Sequence, residues 1–261
     1  MPSSYAHHRF GTQVIPLIPA DVRGPILRHR ALFDMGLHGP DFLFFHSFFK
    51  KSPLFRLGAD YHAMTGKDFF SRACAGLRQH PSEAAFAYLH GVLAHYCLDS
   101  VCHPVICEVT RDTELGHSEL ETEFDRYLLA LDGCKKPREV NLGRYMKLKK
   151  DEYAVVASFY PDVDPKDVTQ CIHNMALAQQ LLTVPTPAGY AAVRLVTGFA
   201  GKNTTGKVMT VGPNPKCVHL DRKLLALYGQ ALSQFPALLE QLNAHMAYGE
   251  PLGDHFSADF G

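Results

Sequence analysis

Apolar side chains recur along this chain every three to four residues in long blocks, and almost nowhere at every second position. That is the period of an α-helix with one buried face. Residues 20–35 place Val22, Ile26, Leu27, Leu32 and Phe33 at this spacing, after Pro19 and Asp21. Residues 82–103 open with Ser82 and Glu83, an N-cap and a first-turn acid, and run apolar to His103. Pro104 disfavours α geometry at the residue before it, so this helix is expected to end or kink at His103. Another helix starts at His117 and reaches Leu131, with Phe124, Tyr127, Leu128 and Leu131 as its buried stripe. Residues 165–183 and 220–247 give two more, the second with Leu220, Leu224, Leu227, Leu232, Leu238, Leu239 and Leu242. Two-residue alternation is confined to a short possible strand at residues 191–196. The pattern predicts an all-α fold, read as a single multi-helix domain over residues 1–261 with long loops and a helical C-terminal part over residues 150–261.

Composition removes several classes of function. Lysine and arginine number 26, and so do aspartate and glutamate, so no net charge draws the chain to duplex nucleic acid. No apolar run approaches the ~20 residues of a transmembrane segment. Residues 1–10 lack the apolar stretch of a signal peptide, and the seven cysteines are scattered without paired spacing. Both features make the cytoplasm the expected location. Residues 134–152, with five lysines and two arginines, read as a solvated connector. Residues 201–207 match the glycine and lysine positions of a phosphate-binding loop. Val208, however, stands where a Ser or Thr hydroxyl should bind magnesium, so a flexible loop is the better reading.

Candidate chemistry concentrates in the helix over residues 82–103 and the one after it. His95, Asp99 and His103 follow one another at four-residue intervals, and His117 and Glu121 repeat the interval. Residues four apart on a helix project from one face, one turn above each other. His95 and His103 are about 12 Å apart along the axis at ~1.5 Å per residue, too far for one ion, yet each is one turn from Asp99. A carboxylate has two oxygens and bridges, so a cluster of two or more metals is the economical reading. Imidazole nitrogen and carboxylate oxygen are ligands that zinc accepts. The bland alternatives are a hydrogen-bonded core histidine and a surface ion pair worth a few tenths of a kcal/mol. Against them stands the coincidence of two such sets within 27 residues, the first between apolar flanks, where an unpaired His or Asp costs several kcal/mol. Cys97 and Cys102 are rotated off the histidine stripe and read as small core fillers. Upstream, His7, Asp41 and His62 are three further candidate ligands, each weak on its own.

Taken in order, these residues resemble the zinc-dependent phospholipase C family of bacteria, distantly related to the single-strand-specific fungal nucleases. The resemblance covers roughly residues 5–125 and is strongest over residues 88–121. It rests on His7, the Gly39-Pro40-Asp41 turn, His62, the His95/Asp99/His103 run and the His117/Glu121 pair. It implies an all-α fold holding two or three zinc ions in one cleft. Asp41, His62, His95 and Asp99 would hold a bridged pair, with His7 and Asp99 serving a neighbouring third site. His103, His117 and Glu121 would hold a separate ion. It further implies hydrolysis of the phosphate ester of a phosphatidylcholine-like phospholipid by metal-activated water, with Asp41 as the base and peripheral contact with a membrane. Secreted members use the amino group of their first mature residue as a ligand. Here His7 lies six residues from Met1, and a terminal ligand is expected to be optional. Two rival functions are a phosphohydrolase or nuclease acting on a soluble diester, and a non-catalytic metal-binding protein. Tyr61, Phe69 and Phe70 are either an aromatic wall for a quaternary ammonium or plain core.

Overall fold

A computed structural model describes residues 4–47, 52–199 and 202–261. Twelve α-helices and no strand occur among the described residues: α1 (Ser4–Val14), α2 (Ala20–Arg28), α3 (Arg30–Gly36), α4 (Pro53–Ala63), α5 (Gly66–Gln79), α6 (Glu83–Asp112), α7 (His117–Leu131), α8 (Glu152–Ala157), α9 (Pro165–Leu181), α10 (Pro187–Phe199), α11 (Lys202–Thr205) and α12 (Val218–Tyr248). A 3-10 segment, Gly39–Phe45, joins α3 to the chain before α4. The fold is all-α.

The helix α6 is the axis of the molecule. Every residue from 87 to 99 is buried, as expected of a helix apolar on all sides. Around it pack α1, α2, α3, α5, α7, α8 and α12. Its start is capped by the Ser82 hydroxyl, which accepts from the Ala85 N–H. The closest crossing is with α3. A Cβ on Gly36 would stand 2.3 Å from the Tyr88 carbonyl oxygen, and one on Gly91 would stand 2.1 Å from that of Phe33. Only glycine lets these two backbones meet.

The far end of the chain returns to the same axis. The helix α12 ends at Gly249, whose φ of 73° is the left-handed conformation of a helix C-cap. Residues 250–261 then run back over α5 and α6 as a strap. The Gly66 N–H donates to the Ala258 carbonyl at 2.9 Å, and the Phe260 N–H to the His62 carbonyl at 2.8 Å. The Tyr96 hydroxyl donates to the carbonyls of His255 and Ala258. Phe256 and Phe260 are fully buried against Phe70 and Tyr96.

Three local expectations are corrected. The segment 20–35 is two helices, because at His29 the backbone turns to φ −115°, ψ 40°; the turn lays α3 flush on α6. The helix carrying His103 does not stop there: it passes through Pro104 to Asp112. Pro104 is exposed, so its ring and the Ser100 carbonyl it leaves without an N–H partner lie on the solvent side. Residues 191–196 are helical within α10, where Tyr190, Val193 and Thr197 form a half-buried helical stripe. Of the glycine-rich segment, Lys202–Thr205 forms one helical turn, while Gly201 lies outside the described residues, as does Met1-Pro2-Ser3.

Candidate metal centre

All eight candidate ligands come from elements that touch α6 or belong to it. On α6 itself, His95, Asp99 and His103 line one face for two turns, all buried. The helix α1 contributes His7, the Gly39–Phe45 turn Asp41, α4 His62, and α7 His117 and Glu121. Donor atoms from these residues fall into three groups, each within 4.8 Å: His7/His95/Asp99, Asp41/His62/His95 and His103/His117/Glu121. His95 belongs to two of them. Asp99 faces His7 through Oδ1 at 3.0 Å, and through Oδ2 it faces His95 at 3.4 Å and His103 at 3.5 Å. Glu121 Oε1 lies 3.1 Å from His117 Nε2 and 3.6 Å from His103 Nε2. The side chain of His117 is 29% exposed, the others 9% or less.

The protonation chemistry tests whether these residues fit a metal. The His95 Nδ1–H donates to the Leu37 carbonyl at 3.2 Å, and the His62 Nδ1–H to the Gly58 carbonyl at 2.7 Å. A carbonyl only accepts, so an imidazole anchored this way carries a proton on Nδ1, and its Nε2 is the atom free to hold a metal. That nitrogen points at a carboxylate: His62 Nε2 is 2.9 Å from Asp41 Oδ1, and His95 Nε2 makes no hydrogen bond beside Asp99. Two electron-rich atoms held together out of water need a proton or a metal ion between them, and imidazole with carboxylate is a donor set that zinc accepts. A backbone carbonyl fixing the outer nitrogen of a histidine is also the usual outer-shell partner of a zinc ligand.

The electrostatics agree at His95, Asp41 and Asp99, while at His7 burial, which lowers the imidazole, is outweighed by the Asp99 carboxylate, so that metal and proton compete there. Burial pushes His95 down to about 4, so it is neutral at physiological pH. Burial would raise Asp41, but His95 and His62 overrule it and hold the carboxyl far below its usual range. Burial is likewise outweighed at Asp99 by His7, His103 and His95. Neutral imidazoles and ionised carboxylates are the forms zinc binds. Among the described residues the ion pairs of Asp41 and Asp99 are all with histidines. A buried carboxylate so placed is costly unless a cation joins it. The residues fit zinc.

His90, one turn before His95, is a useful contrast. It is fully buried too, but its Nδ1–H donates to the Phe86 carbonyl and its Nε2 faces the Asn243 amide, which carries an N–H donor as well as an oxygen, so no cation is called for. It is the ordinary core histidine.

Sequence reasoning missed three contributors, and of a fourth, Gly39, it named the turn without its role. Asp125, on α7, caps α1: its Oδ2 accepts from the Tyr5 N–H at 2.9 Å and its Oδ1 from the Ala6 N–H at 2.8 Å. It thereby fixes the helix end that presents His7. His38 is fully buried with neither ring nitrogen hydrogen-bonded; burial first, then the charge of His7, pushes it down to about 3. Gly39 has φ 43°, and a Cβ there would stand 2.3 Å from the His95 ring, so glycine is what lets the Asp41 turn approach. The strap is the last: Phe260 stacks 6.1 Å from His95, and Gly261 lies so close that a Cβ would be 2.3 Å from the His103 ring. Tyr61, Phe69 and Phe70 are buried, the last two against Phe260, which makes them core. Cys97 and Cys102 are buried as well and enter none of the three donor groups.

No curated protein and no solved structure matches this chain. A family model, that of the zinc-dependent phospholipase C, matches residues 6–180. The span is more than half of the chain and contains all eight converging side chains. By that match the chain belongs to the zinc-dependent phospholipase C family.

Proposed function

We propose that this protein hydrolyses the phosphate ester of phosphatidylcholine-like phospholipids, using His7, Asp41, His62, His95, Asp99, His103, His117 and Glu121 to hold two or three zinc ions. The observation that most supports this is the fusion of three donor groups along one face of α6, joined through His95 and Asp99. Zinc, when bound, lowers the pKa of water toward ~7 and offers positive charge to phosphate oxygens.

The remaining work falls to the chain. Asp41 Oδ1 is engaged by His62, while Oδ2 is buried without a hydrogen bond. That oxygen, kept ionised by His62 and His95, is the acceptor for the proton of the attacking water. His62 orients the carboxylate and is itself anchored by the Gly58 carbonyl. His117, the most exposed member, marks the side from which a diester reaches the cluster. A covalent intermediate on cysteine is not part of this reading: burial pushes the Cys97 thiol up to about 12 and the Cys102 thiol higher still. The leaving alkoxide takes its proton from solvent.

The test is head-group release from phosphatidylcholine by zinc-loaded protein, run beside single-stranded oligonucleotide cleavage. Phosphocholine and diacylglycerol are the expected products, with turnover falling about a hundredfold or more in Asp41→Asn. Oligonucleotide cleavage without lipid turnover would reassign the protein as a nuclease. Full zinc occupancy with no turnover on either would make it a metal-binding protein without catalysis.

A further inference from the structure

Beyond the matched span lies a helix that the metal centre does not use. No residue of α10 is buried. Its half-buried stripe of Tyr190, Val193 and Thr197 faces the protein, and the opposite face shows Leu195, Val196 and Phe199 at 65%, 64% and 88% exposure. One charged residue, Arg194, interrupts thirteen otherwise uncharged positions. Clustered large apolar side chains in water mark a contact surface.

The position of α10 says what covers it. Arg194 and Gly198 share a cavity of about 350 Å³ with Gly116 and Glu119, which flank His117. The helix therefore stands beside the N-terminal end of α7, the helix that begins at His117. Glu114 and Glu123 line the same cavity, and cations gather on the Tyr190 side: the Tyr190 ring has the Arg138 guanidinium 5.9 Å from its centre and that of Arg194 at 5.7 Å. Arg138 belongs to the same connector as Lys135 and Lys136. Tyrosine and guanidinium at one level with Leu, Val and Phe beyond it is the arrangement of a helix lying in a lipid interface, with cations at phosphate depth. Three large side chains on a helix ~20 Å long fall well short of the ~800 Å² per partner of a stable protein interface.

We infer that α10 is an interfacial helix that seats the protein on an anionic phospholipid surface, with Leu195, Val196 and Phe199 inserted and the His117 side of the metal centre turned to the lipid. This rests on the reading of the protein as a phospholipid hydrolase.

The chain contains no tryptophan, so Phe199→Trp supplies a single reporter. With equimolar phosphatidylcholine–phosphatidylserine vesicles its emission is expected to shift to the blue. Wild type should co-sediment with these vesicles, and the Leu195→Ser/Phe199→Ser double variant should bind them about tenfold or more weakly. Turnover of a short-chain phosphatidylcholine kept monomeric in solution should stay within about twofold of wild type, because the variant leaves the cluster untouched. Equal binding by wild type and the double variant would overturn the inference. So would failure of wild type to bind, or a fall from dimer to monomer mass on substitution, which would assign the face to a second copy. Loss of a different kind separates the two readings: vesicle binding that depends on α10 without turnover of the soluble lipid sinks the hydrolase and leaves the docking helix in place.

Discussion

Asp99 faces three imidazoles at once, one through Oδ1 and two through Oδ2. Replacing it by Asn keeps the shape and removes the charge from both oxygens. Asp99→Asn is therefore expected to lower zinc content at more than one position, while His117→Ala, at the edge of a separate group, should remove one ion. Inductively coupled plasma measurement distinguishes them, and a His117→Ala protein empty of all zinc would refute the division. Asp125 acts from further away, through the end of α1. Burial pushes its carboxyl up to about 7, against the Tyr5 and Ala6 N–H groups that pull it back. A carboxyl raised in the folded state keeps its proton there after the unfolded chain has lost it, so ionisation costs stability as pH climbs from about 4 to about 7. Asp125→Asn lacks that slope. Its urea midpoint should therefore gain on wild type across this window, and a constant difference would show a carboxylate ionised throughout. The residues on α6 and α7 were legible because a four-residue interval encodes adjacency on a helix. His7, Asp41 and His62 were read only through the family resemblance, since the meeting of separate elements leaves no spacing in the sequence. Asp125 looked like any acid on a helix, and nothing in the chain announced its partners.

Between elements, the crossing of α3 and α6 controls how far the Asp41 turn can reach. Gly91→Ala would push a methyl into the Phe33 carbonyl, an overpacking cost of about 1–3 kcal/mol or more. Because α3 leads directly into Gly39–Phe45, the same change should weaken zinc retention, seen as faster loss to a chelator. Gly76→Ala is the control: a Cβ there meets nothing within 4 Å, and the helix should gain up to about 1 kcal/mol. A Gly91→Ala protein as stable as wild type would mean the two helices slide apart freely. The long helices α6, α7, α9 and α12 and the α2–α3 segment were visible in the apolar period, but α1, α4, α5, α8, α10 and α11 were not, nor were the limits of those that were. Pro104 was weighed by its local geometry, whereas its exposure on α6 decides that the helix survives it. The break at His29 answers to the packing of α3, which no window of sequence contains.

Across the whole molecule, the all-α class and the zinc-dependent phospholipase C family could be read from the chain, but the closing of the site could not. The family match stops at residue 180, yet residues beyond it finish the wall around His62, His95 and His103. Residues 256–261 show two phenylalanines, three small residues and Asp259, and their destination is set by backbone bonds to Gly66 and His62. This arrangement puts the events of biosynthesis in order. Glu121, the last of the eight candidate donors, precedes Gly261 by 140 residues. At ~5–20 residues per second of synthesis, the donor set is complete on the order of ten seconds before the strap exists to lie over His103. A metal ion that arrives in that interval meets the cluster without the strap over His103, and one that arrives later meets it with the strap in place.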